Sequence, residues 1–174
     1  STPIIFFYGT SMENTSINDT VRPVGPPQDL VLEGERLFNE GQVDAAREIF
    51  QAAVEQCPGN ALAWNNLAVI ATTVNDDKLA EKCLHQALEV KSDFKEARFN
   101  LVEIYGLRQD WRKAIRELRS ILSVNPADFR AIKRLAKIYF DLGQEDKARE
   151  VLAGCSDMGA MKSFIDSLWL GIKY

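Results

Sequence analysis

Arg130, Lys133, Arg134 and Lys137 are spaced 0, 3, 4 and 7 along the chain. On a helix that spacing puts all four cations on one face. Like charges three and four residues apart repel and weaken the helix that carries them. A stripe with that penalty suits an anionic partner: acidic side chains, a C-terminal carboxylate or a phosphate. A second reading is a solvated face neutralised by Asp128, Asp141 and other neighbours, and spacing alone does not separate the two. Asn66 and Asn100 are the other candidates. An asparagine amide holds a donor and an acceptor, so it can pair with a peptide backbone without reading side chains. Equally, each asparagine can cap or bridge neighbouring helices.

Reactive chemistry has little to build on. The chain contains no G-x-x-x-x-G-K-[ST] and no G-x-S-x-G. His85 is the only histidine, so no His-based metal site can be assembled from this chain alone, and His85 reads as a surface or groove-edge residue. Cys57, Cys83 and Cys155 show no C-x-x-C spacing and read as ordinary helix residues. An odd number of cysteines without pairing logic suits a reducing compartment, so the expected location is cytoplasmic. No catalytic residue, metal ligand or cofactor is assigned, and the chain is expected not to be an enzyme. A net charge of −4 argues against a dedicated nucleic-acid binder. The 174 residues suffice for one domain with a real core.

The elements that must hold the candidate residues show themselves as a repeat. Ala46, Ala80, Ala114 and Ala148 recur every 34 residues, and Phe50, Leu84, Leu118 and Leu152 follow them at a constant step of four. Leu67, Leu101 and Leu135 keep the same period, and Pro58 and Pro126 lie two periods apart with Ser92 midway. A pair of antiparallel helices buries one face internally and needs a neighbouring pair to cover the rest, so such units stack. Alanine at the fixed step lets the paired helices approach closely. Proline cannot continue a helix and so punctuates the unit.

This pattern resembles the tetratricopeptide repeat over roughly residues 27 to 158. The residues that carry the resemblance are Leu30, Gly34, Leu37, Ala46, Phe50, Ala53 and Pro58, then Trp64, Leu67, Ala68, Ala80, Leu84 and Ala87. Leu101, Tyr105, Ala114, Leu118 and Pro126 follow, and after them Leu135, Ala136, Tyr139, Ala148 and Leu152. Ser92, Ala71 and Arg98 depart from the pattern, where a proline, an aromatic and a large apolar residue are usual. The resemblance implies an all-α, right-handed α-solenoid of four helix-turn-helix units at 27–60, 61–94, 95–128 and 129–158. Helices are expected near 28–40, 43–56, 61–73, 77–90, 95–107, 111–124, 129–141 and 145–154. Gly41, Asn75-Asp76, Gln109-Asp110 and Gly143 fall at the turns inside the units, and Gly and Asn tolerate the left-handed backbone that ends a helix.

In this family the first helix of each unit lines a concave groove. Carried onto this chain, the groove places hold Phe38 in the first unit and Asn65, Asn66 and Val69 in the second. The third supplies Phe99, Asn100 and Glu103, and the fourth Arg130, Lys133, Arg134, Lys137 and Phe140. Asn66 and Asn100 would hold a peptide backbone, the basic stripe would take acid groups, and Phe38, Phe99 and Phe140 would supply apolar area. Against the family's two-carboxylate clamp, Asn100, Arg130 and Arg134 match, whereas Asn65 and Val69 stand where a lysine and an asparagine are needed.

The chain ends lie outside the repeat. Residues 1–26 form an arm in which Ile4, Ile5, Phe6, Phe7 and Tyr8 favour an extended strand, too short to span a membrane. Five consecutive apolar residues are badly placed in water, so this arm is expected to pack against the groove or a neighbouring molecule. Otherwise it is the last strand of a preceding domain. Residues 159–174 read as an amphipathic capping helix built on Met161, Phe164, Ile165, Leu168, Trp169 and Ile172. The apolar run before Tyr174 fits either a longer protein or a dimer contact. The expected function is to bind an extended, acidic peptide or protein segment, with no nucleic acid and no membrane span. The alternatives are an accessory targeting or assembly domain of a larger enzyme, and self-association, as a homodimer, through the arm or the last helix.

Overall fold

A computed structural model describes residues 27–154 and 164–168, with side chains from Asp29 onward. The expected arm, most of the expected cap and the docking expected of residues 4–8 lie outside the described residues. Among the described residues the protein is all helix. The elements are α1 (Pro27–Asn39), α2 (Val43–Gln56), α3 (Ala61–Thr73), α4 (Asp77–Val90), α5 (Lys95–Leu107), α6 (Trp111–Val124), α7 (Phe129–Asp141) and α8 (Glu145–Ala153). Each lies within a residue of its expected position. Helices pair in chain order, α1 with α2, α3 with α4, α5 with α6 and α7 with α8. The hairpins fall into two compact units, one up to Phe94 and one from Lys95 onward. In the first, α2 also packs on α3 and α1 touches α3; in the second, α6 packs on α7.

The periodic alanines explain the pairing. Ala46, Ala80, Ala114 and Ala148 all have 0% exposure, which leaves no room for a larger side chain between paired helices. Phe50, Leu84 and Leu118, one turn further on, are buried. Each such side chain stabilises the fold by about 1.5–3 kcal/mol. Gly34 of α1 belongs to the same contact. A methyl group on its Cα would lie 2.7 Å from the Phe50 ring, well inside van der Waals distance.

The turns repeat as faithfully as the core. Gly41, Asn75, Gln109 and Gly143, each 34 residues apart, all have positive φ, between 58° and 79°. At each, the next backbone N–H reaches five residues back: Gln42 to Leu37, Asp76 to Ala71, Asp110 to Tyr105 and Gln144 to Tyr139, at 2.8–2.9 Å. This is the bond pattern that closes a helix through a left-handed residue. Asparagine tolerates that backbone; Gln109 adopts it at a steric cost. Helix starts are fixed by side-chain caps. Asn60 accepts from Leu62 and Ala63, Asp76 from Leu79, Asp110 from Lys113 and Asp128 from Ala131. Such caps are each worth about 1 kcal/mol.

Residues 164–168 are helical and cover the last hairpin. Leu168 joins Ile132, Ala136 and Leu152 in one buried cluster, and Phe164 and Ile165 pack at its edge. These residues bury part of the apolar face of α7 and α8, which needs a partner other than water.

Candidate peptide-binding faces

In the first unit the candidate residues lie on α1 and α3. The Asn60 cap fixes the start of α3, and Trp64 locks the preceding turn by donating its indole N–H to the Pro58 carbonyl at 2.8 Å. Asn65 and Asn66 follow in the next turn, buried at 7% and 4% exposure. Asn66 Nδ2 donates to Glu35 Oε1 of α1 at 2.9 Å, and its Oδ1 accepts from Asn65 Nδ2 at 3.4 Å. Asn66 therefore bridges neighbouring helices, using its acceptor and one donor inside the unit. Val69 is buried and Phe38 half-buried. Burial raises the Glu35 carboxyl above the ordinary carboxylate range, and the Asn66 hydrogen bond works against that rise.

In the second unit the candidates lie on α5 and α7. The guanidinium of Arg130 sits over the Phe99 ring, 4.0 Å from its centroid. Phe99 itself is buried at 2% exposure, so its ring face serves as a platform for the cation. Arg134 pairs with Glu103 of α5. Lys137 pairs with Asp141 one turn along α7, at 2.5 and 2.6 Å. Lys133 lies over Phe164, 4.9 Å from the ring centroid. Asp128 is not a counter-ion of the stripe. One of its oxygens caps α7 through Ala131 N–H at 3.0 Å and the other takes Lys95 Nζ at 3.2 Å. Among the described residues the four cations thus have two carboxylates as ion-pair partners, Glu103 and Asp141, and the stripe keeps a positive excess. Asn100 is half-buried on α5, and Phe140 packs at the edge of the Ile132 cluster.

Two arrangements were not anticipated from the sequence. Arg98, at a place where the repeat pattern has a large apolar residue, forms a largely buried ion pair with Glu117 of α6, Nη1 to Oε2 at 2.6 Å. The sign of this was the pairing of a misplaced cation with an acid on the apolar face of the next helix. The second is Arg112, Arg116 and Arg119 on α6. With Ile115, Ser120 and Ser123 they line a shallow groove. Their spacing of 0, 4 and 7 is plain in the sequence, but they lie on a second helix, outside the first-helix places that line the family's groove.

Other chemistry stays weak. Burial pushes the Cys83 thiol up to about 11, which keeps it from acting as a thiolate nucleophile near neutral pH. Among the described residues, no group of three His, Cys, Asp or Glu side chains is placed to hold a metal, and no helix is long and apolar enough to cross a membrane.

Known proteins share this arrangement. The peroxisomal targeting signal receptor of Candida glabrata is 27% identical over 113 residues, covering 65% of this chain. The chain spans about a fifth of that relative's length, 19%. Among solved structures, MamA matches with a TM-score of 0.69 at 20% identity, covering 79% of this chain and 80% of that one. The first TPR of Spaghetti (RPAP3), bound to the HSP90 peptide SRMEEVD, matches with a TM-score of 0.61 at 20% identity, covering 67% of this chain and 95% of that one. Likeness at this identity concerns the fold, an all-α helical repeat of the solenoid class. Family models described as tetratricopeptide repeat match residues 27–70, 61–94 and 107–157. With its periodic alanines, left-handed turns and paired helices, the chain belongs to the tetratricopeptide repeat family.

Proposed function

We infer that this chain is a protein-interaction module rather than a catalyst, and that the α5–α7 face of its second unit binds an extended, acidic peptide segment. The observation that carries this reading is the stacking of Arg130 on Phe99. Stacking holds the guanidinium by its face and leaves its N–H edge available for a carboxylate. Beside it, Lys133, Arg134 and Lys137 keep cationic groups at the surface, with Glu103 and Asp141 as their ion-pair partners among the described residues. Asn100 on α5 would pair with the ligand's backbone. In the first unit, Phe38, Asn65, Asn66 and Val69 would form a more apolar, amide-bearing face. There Asn66 retains one N–H beyond its bond to Glu35, so its role is to steady the face as much as to touch a ligand.

The relatives are in keeping with this reading: one is a targeting signal receptor, and one was solved with a peptide carrying Glu-Glu and a terminal Asp. The test is an array of random short peptides, each printed beside a counterpart with Asp and Glu replaced by Asn and Gln. The chain should select the acidic member of each pair, and selection should fade as salt rises. Equal signal across the pairs would remove the acidic ligand from the proposal.

A further inference from the structure

The second helices of two hairpins carry matched stripes of opposite charge. Asp44, Glu48, Gln51 and Glu55 lie on α2 at spacings 0, 4, 7 and 11. Arg112, Arg116, Arg119 and Ser123 lie on α6 at the same spacings, 68 residues later. Sixty-eight residues is two repeat periods, so the stripes occupy the same places of their hairpins. All eight residues are exposed, while the opposite faces of α2 and α6 are spent on the core through Ala46 and Phe50, and through Ala114 and Leu118.

Little within the described residues satisfies these charges. Neither Arg112 nor Arg116, and neither Asp44 nor Glu48, has a side-chain ion pair there. Arg119 only overlies Tyr139 at 6.0 Å, and Glu55 accepts from Gln51 at 3.2 Å. Within α2 itself Arg47 is the cation beside the acidic stripe, and Lys113, held by Asp110 at 3.4 Å, flanks the basic one. Like charges four apart disfavour each helix taken alone. The penalty turns into attraction when the two stripes meet. At the same places α4 carries Lys78, Lys82, His85 and Glu89, and α8 carries Asp146 and Glu150, so neither presents three charges of one sign. Lys78 and Lys82 of α4 are interleaved with Asp77 and Glu81, and α8 sets Asp146 and Glu150 beside Lys147 and Arg149.

We propose that the chain self-associates head to tail, with the Arg112, Arg116 and Arg119 stripe of one copy seated on the Asp44, Glu48 and Glu55 stripe of a second copy. The contact is heterologous: each copy offers one stripe of each sign. Arginine forks present paired N–H groups to carboxylates, and half-buried Ile115 lies in the floor of the groove between them. Exposed ion pairs are individually weak. The association is therefore expected at high protein concentration and low ionic strength. It uses neither α5 nor α7 and stands apart from the peptide-binding proposal.

Sedimentation velocity of the full chain over a concentration series, at low and at high salt, is the test. The mass should rise with concentration at low salt and return to the monomer at high salt. Arg112→Glu with Arg116→Glu makes both stripes acidic, and Asp44→Arg with Glu48→Arg makes both basic. Each double variant alone should stay monomeric. Mixed in equal amounts, they should form a one-to-one complex, because the native stripe of each then faces the other's. Circular dichroism checks folding, and Arg112→Gln with Arg116→Gln replaces the reversal if that variant misfolds. A wild type monomeric at every concentration in low salt would overturn the proposal. So would association that survives either reversal, or a mixture in which the two variants ignore each other.

Discussion

The side-chain amide of Asn66 donates to the Glu35 carboxylate at 2.9 Å, across 31 residues of chain. Arg134 meets Glu103 across the same 31 residues in the second unit. The sixth place of one hairpin's first helix thus reaches the ninth place of the preceding first helix in both units. In one case the donor is neutral, and in the other it is charged. That difference separates a face built around a half-buried acid from a face with surplus positive charge.

The Asn66–Glu35 contact gives a pH signature. Glu35 has its pKa raised in the folded state, chiefly by burial. An acid so shifted favours folding fully below its unfolded pKa, and that contribution is lost as pH rises through the folded pKa. Glu35→Gln keeps an acceptor for Asn66 and removes the ionisation. The variant should be more stable than wild type at neutral pH, and the difference should shrink toward zero as pH falls through the carboxylate range. Urea melts of both proteins at a series of pH values check this. A difference that grows on acidification would contradict it.

Gly34 should resist substitution although it lies inside a helix. In an exposed helix interior, glycine to alanine stabilises by about 1 kcal/mol. Here the new methyl would meet the buried Phe50 ring at 2.7 Å. Overpacking of this kind costs about 1–3 kcal/mol. Gly34→Ala should therefore lower the thermal midpoint, and Phe50→Leu in the same chain should lessen the additional loss due to alanine. Calorimetry of the single and double variants reads both effects.

The Arg98–Glu117 pair makes an asymmetric prediction. Glu117 is 8% exposed, and it pairs with Arg98 at 2.6 Å. Arg98→Leu restores the apolar residue usual for the repeat but leaves a buried carboxylate without that partner, at a loss of about 3 kcal/mol. Adding Glu117→Leu should recover most of that loss, since a buried ion pair replaced by apolar groups is often neutral or stabilising. Chemical denaturation of the wild type, the single and the double variant gives the comparison.

Fold and site were legible in the sequence to different degrees. Helix positions could be read because sterics fix them. The alanines at the 34-residue step stand where no larger group fits, and Gly41 and Gly143 stand where φ is positive. The stripe on α7 was equally plain, because it depends only on helical periodicity. Depth and partnership were not. The groove places inherited from the family gave Asn65, Asn66 and Phe99 the same standing as Arg130. Yet the asparagines are buried and Phe99 lies beneath Arg130. Whether Asp128 neutralises the stripe, and what Arg98 pairs with, are decided by contacts between helices, which no single helix encodes.

One titration decides whether the α7 cations bind acid groups. Acidic peptides selected from the array, labelled and followed by fluorescence anisotropy, would be titrated with wild type and with Arg130→Glu plus Arg134→Glu. Arg130 is exposed and Arg134 half-buried beside Glu103, so circular dichroism must show the fold intact. The double variant should lose at least tenfold in affinity, about 1.4 kcal/mol, with little change for the charge-neutralised counterparts. Equal affinity of the two proteins for the acidic peptides would contradict it.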